Sequence, residues 1–311
     1  MIQSREAGTS RVDPATSVAA LVRLARPQQW VKNAVVLAGV VFAEMADQPW
    51  AVAEALLALV AFILASSSIY VFNDLQDVAA DRLHPLKQHR PIAAGTVSRS
   101  AAARYSIILG AAALVLASLV TPTLGLIVAI YLAMMVAYTL WLKQVAILDV
   151  IVIAIGFVLR AVGGAVAVAV PISPWLLTCA FLLALFLGFG KRRAELIGLG
   201  SGASLHRLSL QGYTAPLLDQ LVGITAVSAL VVYTIYTFTS SSVPTNDSMV
   251  YTVPLVAFAI FRYLYLVYGR GLGGSPESLL FRDRWLLAVV VLWGVVALVL
   301  VTSGGTIDHL S

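Results

Sequence analysis

Cysteine is almost missing from this sequence. Cys179 stands alone, which excludes an intramolecular disulfide and a cysteine metal cluster. Charge is scarce too: 11% of residues are Asp, Glu, Lys or Arg, against 60% hydrophobic residues and a mean hydropathy of +0.93. That balance belongs to a membrane protein and leaves no reason to expect a nucleic-acid partner. The four histidines show no metal-ligand spacing. Gly198, Gly200 and Gly202 lack a preceding strand and a following Gly-Lys-Ser/Thr, so they read as a flexible hinge and not as a phosphate loop. No unbroken apolar core with a small-residue cleavage site precedes the first apolar stretch, so no signal peptide is expected.

What the chain has in quantity is apolar runs, at about 28–46, 50–73, 101–120, 124–142, 145–169, 174–190, 217–239, 250–268 and 285–302. Each approximates the ~20 residues a helix needs to cross ~30 Å of hydrocarbon. The expected fold is an all-α polytopic membrane protein with nine transmembrane helices. The first run is the shortest, with an apolar centre from Ala34 to Ala43 bracketed by Lys32 and Glu44.

Charge placement tests that count, because Lys and Arg accumulate on cytoplasmic segments. Nine spans with a cytoplasmic N-terminus put Arg5, Arg11, Arg23, Arg26 and Lys32 inside, then Arg82, Lys87, Arg90, Arg99 and Arg104. Lys143, Lys191, Arg192, Arg193, Arg207, Arg270, Arg282 and Arg284 complete that side. The outer segments receive only Glu44, Asp47, Glu54, Asp247 and Asp308, and one span more or fewer would scramble the separation. Residues 1–16 read as a disordered tail, and 18–26 as a short amphipathic segment on the inner leaflet, ended by Pro27. Residues 17–302 form one transmembrane catalytic domain, followed by a C-terminal tail at 303–311.

Two basic residues fall within spans. Arg262 lies about two turns from the inner end of the eighth and is expected to snorkel. Arg160 sits near the middle of the fifth, where an Arg is costly unless it faces the bundle interior or a polar cavity, so it is a substrate-binding candidate. Gly156, Gly163 and Gly164 beside it allow close helix packing.

The acidic residues are more telling than the basic ones. Asn73, Asp74, Asp77 and Asp81 form N-D-x-x-D-x-x-x-D at the inner end of the second run. On a continuous helix they fall within ~100° of arc. Mg²⁺ takes such oxygens, keeping one or two carboxylates together with the oxygens of a phosphorylated substrate. The spacing therefore suits a metal-held diphosphate, with Asn73, Asp77 and Asp81 as ligands and Asp74 supporting, the plainer alternative being a solvated helix end with ordinary charges. Arg82, Lys87, His89 and Arg90 follow at once, and mixed acid and base beside a membrane argues for an anionic ligand.

A second polar constellation closes the sixth run. In Gly190-Lys191-Arg192-Arg193-Ala194-Glu195 the charges begin abruptly after the apolar stretch from Phe181 to Phe189, and Lys191 and Glu195 share a helical face. A basic cluster at an inner helix end is also what the positive-inside rule alone would produce. Lys191, Arg192 and Glu195 are taken as candidates lining a cavity mouth. Lys32, beside Asn33 at the start of the first run, joins them, with interfacial anchoring as its plainer use. Tyr131 and Tyr138 share one face of the fourth run; helix packing is the plainer use there too, and Tyr138 is kept as a substrate-binding candidate.

These residues resemble a known family. Asn73-Asp74-x-x-Asp77-x-x-x-Asp81 with the following Lys87-x-x-Arg90-Pro91-Ile92-Ala93-Ala94-Gly95 is similar to the first aspartate-rich motif and its loop in the UbiA superfamily of intramembrane prenyltransferases. Arg26-Pro27, and Asp149, Arg160 and Gly164, are similar to that family as well. Members that prenylate an aromatic ring carry a second aspartate-rich motif after the sixth span, where this chain has Lys191, Arg192 and Glu195. The pattern GKRRxEL instead resembles the branch that transfers phosphoribose to decaprenyl phosphate.

The resemblance implies a UbiA-like bundle in a bacterial plasma membrane, with its active site facing the cytoplasm. It implies a Mg²⁺-dependent phosphoribosyltransferase that moves 5-phosphoribose from phosphoribosyl diphosphate to decaprenyl or another polyprenyl phosphate, for cell-wall arabinan. Membrane lipid is a further partner, and a homo-oligomer is compatible with it. Charge agrees, since a sugar with a diphosphate and a 5-phosphate facing a lipid phosphate calls for Lys and Arg. Two other readings stay open at this point: an aromatic polyprenyltransferase of quinone or haem synthesis, which needs a second carboxylate site, and a transporter, which needs midplane charges.

Overall fold

The computed structural model describes residues 18–42, 45, 47–85, 87–171, 173–199, 208–239 and 247–307. The expected tail at 1–16, Arg5, Arg11, Glu44, Gly200, Gly202, Arg207 and Asp308 lie outside them. Eight helical segments among the described residues are long and apolar enough to cross a membrane. Helix α3 spans Pro49–Gln76, α5 Arg99–Val120, α6 Pro122–Leu140, α7 Leu148–Ala167 and α8 Pro174–Leu199. Helix α9 spans Ala215–Thr239, α10 Val253–Leu264, continued by a π-helical turn at Tyr265–Gly269, and α12 Arg284–Ile307. Shorter pieces are α1 Val18–Leu24, α2 Ala38–Phe42, α4 Val78–Leu83 and α11 Pro276–Arg282.

The helix starts follow from local chemistry. Pro49 and Pro122 occupy first turns, where a missing N–H is harmless, while Ser98 and Thr121 cap α5 and α6 by accepting from Ala101 N and Leu124 N. Large apolar side chains such as Ile107, Leu119, Ile224, Val227 and Val295 stand exposed along the long helices. In water this would be an aggregation surface; in lipid it is the ordinary outer wall.

The stretch expected as the first span departs from an α-helix. Pro27–Leu37 is a 3-10 helix, here called the strap, followed by the five-residue α2. Its tighter winding rises ~2.0 Å per residue against ~1.5 Å for α, so the strap and α2 together reach about 30 Å. The cause is packing: Gly164 and Gly39 let the strap and α7 meet backbone to backbone, and a Cβ at Gly164 would sink into the Val36 carbonyl. Gly164→Ala should therefore lower stability by about 1–3 kcal/mol, read as a fall in the thermal unfolding midpoint in detergent.

Two apolar cores are the largest among the described residues. One joins the strap, α3, α5, α6 and the C-terminal end of α7 through Val36, Phe62, Leu124, Tyr131 and Ala167. The other joins the N-terminal end of α7 to α8, α9 and α10 through Val150, Phe186, Leu218 and Tyr263. Arg262 differs from expectation: it does not simply snorkel but binds both carboxylate oxygens of Asp283 at 3.1 and 2.7 Å. Asp283 also caps α12 by accepting from Leu286 N, and the Arg262 hydrogen bond holds its carboxyl below the usual range. Gly198 lies within α8, so the part of the expected hinge that is described is helical. Helix α12 likewise carries the chain through residue 307, into the stretch expected as a tail.

Candidate active site

The acidic motif is not one uniform face. α3 ends at Gln76, Asp77 sits at φ −91° and ψ 5°, and α4 begins at Val78, although Asp77 N still bonds Asn73 O and Asp81 N bonds Asp77 O. The kink sorts the four side chains into two pairs. Asn73 Nδ2 donates to Asp77 Oδ2 at 2.8 Å, and Lys143 Nζ reaches Asp77 Oδ1 at 2.7 Å and Asn73 Oδ1 at 3.4 Å. Asp74 and Asp81 are both buried; Arg90 Nη1 lies 3.0 Å from Asp74 Oδ1 and 2.7 Å from Asp81 Oδ2, and Arg26 also pairs with Asp74.

Two of these partners had been overlooked as site residues. Lys143, in the short 3-10 turn Leu142–Gln144 between α6 and α7, had counted only as an inner-face charge. Its one sequence signal is isolation: it is the lone basic residue in that connection. Arg26 is the residue before the strap, held at a left-handed φ of 52° where Pro27 follows. A non-glycine there is strained by about 1–3 kcal/mol, and Arg26 is held on Asp74 across 48 residues and lies 5.1 Å from the Tyr70 ring centroid.

The second constellation faces the first. Lys87 is half-buried, which pushes its ammonium pKa down; Arg90 acts in the same direction, while Asp81, Glu195 and Asp77 oppose it. Glu195 is therefore within electrostatic reach of the loop carrying Lys87 and Arg90, and Arg82 anchors that loop by donating to Ala93 O at 3.2 Å. Lys191, half-buried, shares the helical face of Glu195.

Arg192 has a different surrounding from the one expected. It is 2% exposed, with Nε 2.9 Å from Asp149 Oδ2 and Nη1 paired with Glu195. Asp149, wholly buried, also accepts from Ser209 Oγ at 3.0 Å and Tyr213 Oη at 2.7 Å. Burial raises the Tyr213 phenol, the Asp149 carboxylate adds to the rise, and the hydroxyl stays a donor. Arg192 thus locks α8 to α7, while Tyr138 is buried near the end of α6. Arg193 turns away to Asp219 and stacks 4.0 Å over Tyr268. Arg160 lies deeper, bonded to Asn33 and Tyr131. Lys32 is half-buried on the strap.

A divalent cation is tested by this donor set. Among the described residues no group of three or more His, Cys, Asp and Glu side chains could hold a metal. Two oxygens do converge, however: Asn73 Oδ1 and Asp77 Oδ1 share the Lys143 ammonium as a stand-in cation. Two protein oxygens fit Mg²⁺, which takes its remaining ligands from water and substrate phosphates.

The chain is similar to decaprenyl-phosphate phosphoribosyltransferases of Mycolicibacterium smegmatis, at 36% identity over 93% of this chain and 95% of that one, and of Mycobacterium tuberculosis, at 38% over 90% and 93%. Its fold matches a UbiA homologue from Archaeoglobus fulgidus solved with GPP and Mg2+, with a TM-score of 0.72 at 19% identity over 91% of this chain and 99% of that one. The model of the UbiA prenyltransferase family matches residues 33–282, and with these helices and this acidic motif the chain belongs to that family.

Proposed function

We propose that this chain transfers 5-phosphoribose from phosphoribosyl diphosphate to decaprenyl or a related polyprenyl phosphate, releasing diphosphate. The observation that carries the reading is the inner end of α8, where basic residues stand in place of a second carboxylate cluster, Lys191 on the face of Glu195 and Arg192 held by Asp149 and Glu195. A prenyl diphosphate alone does not need them. A donor with a 5-phosphate and a diphosphate, meeting a lipid phosphate, does. The names of the relatives at 36–38% identity support the same assignment.

In this reading Asn73 and Asp77 would hold Mg²⁺, with Asp74 and Asp81 paired to Arg26 and Arg90 behind them. The ion, when bound, supplies charge stabilisation to the departing diphosphate. Lys143, released from Asp77, joins Lys87 and Arg90 in neutralising that group. Lys191 holds the sugar 5-phosphate or the lipid phosphate, with Glu195 beside it. A lipid phosphate oxygen attacks C1 as an anion, the C1–O bond to diphosphate breaks, and the configuration inverts. No strong base is needed, so catalysis is positioning and electrostatics.

The site faces the cytoplasm of a bacterial plasma membrane, where the Lys and Arg residues gather, and the strap with α2 makes the first of nine crossings. Purified protein given Mg²⁺, labelled phosphoribosyl diphosphate and decaprenyl phosphate should yield a lipid-soluble label. Label transfer only from polyprenyl diphosphate to an aromatic acid would replace this reading with the aromatic prenyltransferase.

A further inference from the structure

Arg160 is 6% exposed in the middle of a membrane helix, and its contacts are neutral. Nε donates to Asn33 Oδ1 at 2.8 Å, Nη2 to Tyr131 Oη at 2.7 Å, and the guanidinium lies 4.8 and 5.1 Å from the ring centroids of Tyr131 and Phe157. No ion pair to Arg160 occurs among the described residues. An Arg at such depth is unfavourable by at least ~2.5 kcal/mol, and an apolar side chain would pack α7 as well. Its presence points to geometry.

That geometry is the strap's. Asn33 is buried and satisfied on both ends, its Oδ1 taking Arg160 while Nδ2 donates to Ser66 Oγ at 3.2 Å and Trp30 O at 3.3 Å. Trp30 Nε1 donates to Ala25 O and Ser67 Oγ. One bond chain thus joins α7, the strap and α3. The strap needs such holding, because 3-10 runs beyond ~4 residues are uncommon and their hydrogen bonds are poorer. Relaxed to α, the seven residues from Arg26 to Asn33 would shorten by about 3.5 Å and rotate by about 140°. Either change takes Arg26 off Asp74.

We infer that Arg160 is a positioning residue that acts through Asn33 and the strap to keep Arg26 on Asp74 of the acidic motif. When Arg26 holds Asp74, Arg90 is shared between Asp74 and Asp81 in the observed way. Without it, Arg90 alone answers two buried carboxylates, and the loop carrying Lys87 and Arg90 is drawn toward α3. The kinetic consequence rests on the phosphoribosyltransferase reading; the structural one does not.

The test compares Arg160→Met, Asn33→Leu, Asn33→Asp, Arg26→Met and the Arg160→Met/Arg26→Met double variant in lipid nanodiscs. Arg160→Met and Asn33→Leu should speed amide exchange in residues 27–37 by about tenfold or more. Asn33→Asp, which keeps the acceptor for Arg160 but loses the donor to Ser66 and Trp30, should fall between wild type and Asn33→Leu. In turnover, Arg160→Met should raise the KM for phosphoribosyl diphosphate about tenfold with kcat within about twofold. The double variant should be no worse than the more impaired single variant, because Arg160 and Arg26 share no contact yet act on one element. Unchanged exchange in 27–37, or additive effects on KM, would overturn the inference. Should Arg160→Met not insert, Asn33→Leu carries the same comparison. If wild-type protein transfers no phosphoribose, the functional reading fails while the exchange result still decides the positioning role.

Discussion

Asp77→Asn is expected to lower kcat by at least about a thousandfold while the protein inserts and melts close to wild type. The pairing explains both halves. Asp77 is 33% exposed at its side chain and touches Lys143 and Asn73, so its ion pair is partly screened by solvent. Asn keeps the shape and an oxygen but removes the charge that two converging oxygens present to a cation. Asp74 would make a poor comparison, since it is buried between Arg26 and Arg90, and its loss mixes folding with catalysis. Single-turnover label transfer together with thermal unfolding separates the outcomes; a variant with normal turnover removes Asp77 from the metal site.

The second large effect belongs to stability. Arg192→Met should destabilise the protein by about 3–5 kcal/mol, because it leaves Asp149 charged and buried without its cation. Ser209 and Tyr213 still donate to Asp149, but two neutral donors do not replace a guanidinium. Combining Arg192→Met with Asp149→Asn should recover much of the loss, since the orphaned charge is then gone. The measurement is the unfolding midpoint in detergent with and without the partner change. A stable Arg192→Met protein with a raised KM would instead return Arg192 to the substrate, the role its sequence position suggested.

The contrast between these two residues shows what a sequence can carry here. Hydropathy located eight spans, most of them to within a few residues although the sixth runs on to Leu199, because lipid imposes a length and a polarity on each. The acidic motif and the α8 cluster were legible as site material because carboxylates and bases are rare in such a chain. What stayed hidden was pairing. Lys143 meets Asp77 across 66 residues, and Arg26 meets Asp74 across 48, distances over which spacing says nothing. The strap was hidden for another reason: hydropathy does not distinguish 3-10 from α. A trace was present in Trp30, Asn33 and Val36, three residues apart, which eclipse on one side of a 3-10 helix.

Helix α7 belongs to both cores, its N-terminal end packed with α8, α9 and α10, its C-terminal end with the strap, α3, α5 and α6. The acidic motif and the α8 cluster therefore lie beside separate apolar cores that share α7 as a post. Any shift of α7 along its axis is therefore felt by both clusters at once. Arg192 on Asp149 and Asn33 on Arg160 are the two pegs on that post, one for each core.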